Sequence, residues 1–153
     1  MPTHLNSPET LLATANTDLG ASAWRDLPFE QIVAFADATG DRQWIHVDRA
    51  RAEKESPFGG PIAHGYLTLS LVAGLFFELV EVSGFKMVIN YGCNKVRFPT
   101  PMKAGSRYRL AMKMGEVKDI GKGWFEALLI ATIEIDGSPK PACVAEVVYR
   151  FLA

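Results

Sequence analysis

The sequence predicts an α+β chain in which one curved antiparallel sheet wraps around a long buried helix. Three observations carry this expectation. A run near the middle, LTLSLVAGLFFELV, is apolar on almost every side, and a helix of that kind has to be enclosed by other structure. After it come several β-rich runs separated by the turn sequences DIGKG and DGSPKP. Short turns join antiparallel neighbours, so the strands form one sheet with the helix against its face. Finally, 153 residues suffice for one domain with a real core, and two are not expected.

Taken in order, residues 1–20 are polar and weakly patterned and are expected as an N-terminal arm or frayed helix, with the domain proper over 21–153. A first clear helix follows, because Phe29, Ile32, Val33 and Ala36 recur at helical spacing between Pro28 and Gly40. Periodicity then dissolves from Asp41 to Gly60, where charges crowd Asp48 to Glu55 and SPFGGP supplies breakers. The central helix is expected from about Ile62 to Val82. Lys86 to Phe98 reads as extended, closed by the two prolines of FPTP. Arg107 to Met114 alternates, with Tyr108, Leu110, Met112 and Met114 on one face. Trp124 to Ile135 and Cys143 to Phe151 complete the sheet.

Bulk properties exclude several function classes. A net charge of −1 provides no field to recruit nucleic acid or an anionic membrane. The longest apolar run stops at Glu78, short of the roughly 18–20 residues that span a bilayer. The N-terminus lacks the pattern of a secretion signal, so a soluble, cytoplasmic protein is expected. Cys93 and Cys143 lie far apart in no metal-ligand pattern and read as buried thiols of a reducing compartment, although a disulfide stays open.

The candidate chemistry lies in the non-periodic stretch. Asp41 and His46, in GDRQWIHVD, are five residues apart, which turns them about 140° from one another on a helix and to opposite faces of a strand. Only irregular chain after Gly40 brings them together. A converging carboxylate and imidazole, with ordinary pKa values of about 3.9 and 6.5, hold a water and share acid and base roles. The other reading is a helix cap and a structural histidine. In GGPIAHGY, Gly65 falls in the first turn of the central helix, where unpaired N–H groups stabilise a developing oxyanion and a missing side chain permits close approach. Close packing at the helix entry is the other reading of that glycine. His64 either lines a pocket and touches substrate or bonds a nearby carbonyl.

FADATGDRQWIHVD, followed by GPIAHG at the start of an apolar helix and later by INYGCNKVRFPTPMKAGSRYR, resembles the MaoC-like hydratases and dehydratases. These include the (R)-specific enoyl-CoA hydratases of the hot-dog fold. The resemblance spans roughly residues 20–153 and is nearest the branch of nodulation protein N and 3-hydroxyacyl-thioester dehydratases. It implies that Asp41 and His46 match the catalytic pair and Gly65 the glycine whose N–H polarises the thioester carbonyl. The implied reaction is reversible addition of water to a trans-2-enoyl thioester of coenzyme A or an acyl carrier protein, without metal or other cofactor. A homodimer joined edge to edge is implied too. This chain has Gln43-Trp44 where many members read Asn-Pro, and Ala73 where some carry a serine. Alternatives within this reading are a hot-dog acyl-CoA thioesterase and a non-catalytic module that binds acyl thioesters or a protein. Lys95, Arg97, Arg107 and Arg109 are candidates for substrate phosphates, and the region of Phe76, Phe77 and Leu79 for an acyl slot.

Overall fold

A computed structural model describes residues 1–153. The central helix, α5 (Gly65–Leu79), starts three residues later and ends three earlier than expected. Around it runs a sheet built from β2 (Asp18–Ala21), β5 (Met87–Arg97), β6 (Arg107–Gly121), β7 (Trp124–Ile135) and β8 (Cys143–Leu152), in the order β2-β6-β7-β8-β5. All neighbours are antiparallel, and β3 (Arg25–Asp26) pairs with β6 beside β2. Breaks in register within β5–β8 and β6–β7 bend the long strands.

The alternation read from Tyr108 to Met114 turns Tyr108, Leu110, Met112 and Met114 inward, all essentially buried. They meet Val72, Leu75 and Phe76 of α5 in one continuous core that Ala127, Leu129, Ala131 and Ile133 of β7 extend. Phe76, proposed from sequence for an acyl slot, belongs to this core: it is fully buried and packs edge-on against Tyr149. Leu79 is buried beside it, while Phe77 faces outward. Consecutive positions on a helix diverge by about 100°, so the three cannot line one slot.

Residues 1–20 are not loose. β1 (Thr3–Leu5) pairs in parallel with β4 (Val80–Val82), the strand that continues directly from α5. α1 (Pro8–Ala13) begins with a Ser7/Thr10 capping box. Leu5, Leu11 and Leu19 enter the core, each too isolated in sequence to show a period. Cys143 is buried as expected, but Cys93 is exposed because it lies on β5, an edge strand with one side unpaired.

Three shorter helices bridge the first part of the chain to α5: α2 (Phe29–Thr39), α3 (Trp44–Val47) and α4 (Arg49–Glu55). The stretch from Asp41 to Gly60 is therefore not a plain loop. Its charges form α4, opened by the Asp48 carboxylate accepting from the Arg51 amide. No helix in the fold is long and apolar enough to cross a membrane.

Candidate active site

The site forms where α2, α3 and the start of α5 meet. Gly40 ends α2 in the left-handed conformation (φ 81°), its amide bonded to the Ala36 carbonyl, and turns the chain abruptly. Three irregular residues later α3 begins, and it carries His46. The segment before α5 is pinned on both sides. The Ile62 amide donates to the Ile45 carbonyl at 3.0 Å, and the Ala63 amide donates to the Met102 carbonyl at 2.8 Å.

His46 is 7% exposed. Its Nδ1 lies 2.6 Å from the Ile62 carbonyl oxygen, which can only accept, so the proton sits on Nδ1 and Nε2 keeps a free lone pair. Burial is the largest influence on its pKa and pulls it below the ordinary value, and His64 adds to that effect. The Ile62 carbonyl and Asp41 pull the other way. The Asp41 side chain is exposed, held lightly by the Gln43 amide at 3.4 Å. The irregular turn thus brings the pair together, although a single turn of helix, rather than loop alone, presents the histidine.

His64 is the N-cap residue of α5 and is 3% exposed. Its Nε2 lies 2.8 Å from the backbone carbonyl of Asp41, so Nε2–H donates. Its ring stacks on His46, with centroids 3.8 Å apart and planes 21° from parallel. Next to it, Gly65 is the first residue of α5, and its amide has no carbonyl one turn back to receive it. A Cβ at Gly65 would lie 3.1 Å from the Phe98 ring, tighter than ordinary contact. Phe35, Tyr66 and Phe98 join Asp41, His46, His64 and Gly65 around an open cleft of about 560 Å³. Sequence reading missed these three aromatics. All three lie within the stretches quoted above, but nothing in their spacing marks them as lining.

Asp41, His46 and His64 each place one possible ligand atom within 4.8 Å of the others. Each ring gives one nitrogen to a backbone carbonyl, as metal-bound and free histidines alike do, which leaves Nε2 of His46 and Nδ1 of His64 without a protein partner.

Gln43 and Trp44, the departures from the usual motif, do not line the cleft. Trp44 is covered by the Arg51 guanidinium, 4.3 Å from its ring. Of the cations considered for phosphates, Arg107 pairs with Asp136 and Arg109 with Glu134, so both are engaged.

A six-stranded antiparallel sheet around one central helix defines the hot-dog fold, and here a carboxylate and an imidazole meet at the helix start. The chain belongs to the MaoC-like dehydratase family: the MaoC like domain model matches residues 11–132. It is 48% identical over 143 residues to 3-hydroxyacyl-thioester dehydratase Z of Mycobacterium tuberculosis, covering 94% of each chain. With nodulation protein N of Rhizobium leguminosarum it shares 42% over 129 residues, covering 84% of this chain and 80% of the other. Among solved structures, the (R)-hydratase from A. caviae involved in PHA biosynthesis superposes with a TM-score of 0.71 at 23% identity, over 88% of this chain and 94% of that one. The fold is thus the hot-dog fold, and the protein is a dehydratase, a hydro-lyase.

Proposed function

We propose that the protein catalyses reversible hydration of trans-2-enoyl thioesters to (R)-3-hydroxyacyl thioesters, with Asp41, His46 and Gly65 as its catalytic groups. The observation that carries this is the fixed tautomer of His46: Nδ1–H is held by the Ile62 carbonyl, which leaves Nε2 unprotonated beside Asp41.

In the hydration direction the Asp41 carboxylate accepts one hydrogen of a water, and His46 Nε2 takes the other as its O–H bond breaks. The oxygen bonds to C3, and the π pair moves through C2 onto the thioester oxygen. The Gly65 amide, at the positive end of α5, faces that oxygen; one such donor is typically worth about 3–4 kcal/mol in the transition state. The proton on His46 then bonds to C2, the carbonyl reforms, and one molecule of water has been added. Dehydration reverses each step. These groups need no metal or organic cofactor.

The substrate carries coenzyme A or an acyl carrier protein, and its apolar part meets Phe35, Tyr66 and Phe98. Two copies pair through β5, whose outer edge is free and which exposes Met87, Ile89 and Tyr91.

Incubation with crotonyl-CoA tests the reaction. Loss of enoyl absorbance without release of free thiol is expected; thiol release would make the protein a thioesterase, and neither signal would leave a binding module.

A further inference from the structure

His64 carries more than its place in the cleft wall accounts for. Its Nδ1 is buried and has no hydrogen-bond partner, the one buried side-chain polar atom in the structure so placed. Buried polar atoms are nearly always paired, so an unpaired one calls for a reason. The reason lies at the other nitrogen. The Nε2–H bond to the Asp41 carbonyl spans 23 residues and is the shortest polar contact holding that residue, whose own amide and carboxylate make only contacts of 3.4 Å. The same ring forms one wall against His46 and is backed by Phe35 at 4.9 Å. His64 therefore joins the turn that bears Asp41, the ring of His46 and the first amide of α5.

We propose that His64 is a positioning residue: by donating to the Asp41 carbonyl and stacking on His46, it sets the carboxylate, the imidazole and the Gly65 amide at one working distance. This rests on the hydratase reading for its kinetic consequence and not for its structural one. Asp41 sits on exposed, irregular chain just after a glycine, so nothing in its local sequence holds its side chain in register with a histidine on another element. A tether from the start of α5 supplies that register. The unpaired Nδ1 follows from this geometry, because the ring that aims Nε2 at the carbonyl is not free to turn Nδ1 toward a partner.

The test compares His64→Gln, His64→Asn and His64→Phe. A glutamine amide reaches about where Nε2 lies, an asparagine amide only where Nδ1 lies, and phenylalanine keeps the ring without either nitrogen. Misplacement by about 1 Å costs on the order of 100-fold in rate. His64→Asn and His64→Phe are expected to lose about that much kcat with little change in KM, and His64→Gln to recover most of it. Parental kcat in His64→Asn, or a His64→Gln no better than His64→Asn, would overturn the proposal, and that pair decides the matter if His64→Phe fails to fold. Carbonyl ¹³C shifts of Asp41 separate this from the reaction itself. They should match the parent in His64→Gln and move in His64→Asn even if the protein hydrates no enoyl thioester, and an unmoved shift in His64→Asn would again overturn it.

Discussion

At the scale of single residues, the proposed reaction requires a neutral His46. Burial chiefly, and then His64, hold its pKa below the ordinary value near 6.5, while its unfolded-state value stays there. The proposed base therefore stays neutral to lower pH than a free imidazole does, and the acid limb of kcat/KM should fall below pH 6.5. Stability has a linked sign. Because the folded pKa is the lower one, the unfolded chain binds more protons between the two values, so folding loses stability as pH drops through that window. Urea titrations at pH 7.5 and pH 5.5 should show the loss, and His46→Gln should shrink it; an unchanged difference would remove His46 as its source. Asp41→Asn and His46→Gln should each lower kcat/KM by about 10²–10⁴ while circular dichroism stays parental, the range general acid–base groups contribute. Gly65→Ala tests the close approach at the helix start. Its new methyl group displaces the Phe98 ring and narrows the cleft, so kcat/KM should drop at least tenfold while the melting temperature changes little.

Among elements, the N-terminal segment is the clearest case of structure that local pattern concealed. Gly84, just after β4, lies so close to the Asn6 carbonyl that a Cβ there would sit 1.9 Å from its oxygen. No flexible side chain intervenes, so Gly84→Ala must push β1 and α1 off β4. Overpacking of this kind costs about 1–3 kcal/mol, which for a domain of this size lowers the melting point by roughly 2–4 °C per kcal/mol. Calorimetry would measure it, and a parental melting point would mean that β1 does not dock there. The central helix shows the opposite case. Its limits shift by three residues from the sequence expectation, yet its role was legible, because an all-round apolar surface leaves only the interior as its place. The helix α4 was hidden behind its own charges: RARAEKE reads as solvated loop until the Asp48 cap and the Arg51–Glu55 pair give it a local reason to coil.

For the whole molecule, the sheet leaves β5 unfinished. Nearly every residue of that strand is exposed, including three large apolar side chains, whereas β7 in the middle of the sheet buries alternate residues. A second copy joining edge to edge would cover it. Replacing both Ile89 and Tyr91 by lysine should convert a dimer to a monomer in sedimentation velocity. A parent protein that sediments as a monomer at micromolar concentration would refute the pairing.

The sequence by itself determined the central helix, the four long strands and the inward face of Tyr108 to Met114. Periodicity and turn chemistry are local, and the alternation through Tyr108 to Met114 or the glycine after Thr39 can be read without knowing what lies across the core. The motif also pointed to Asp41, His46 and Gly65 through resemblance, with no geometry attached. Only the tertiary structure decided why those residues meet. The bonds that aim them, from His46 to the Ile62 carbonyl and from His64 to the Asp41 carbonyl, join positions 16 and 23 residues apart. A backbone carbonyl is present at every residue, so sequence cannot say which one a histidine will find. That choice is made by the packing of α2 and α3 at the start of α5.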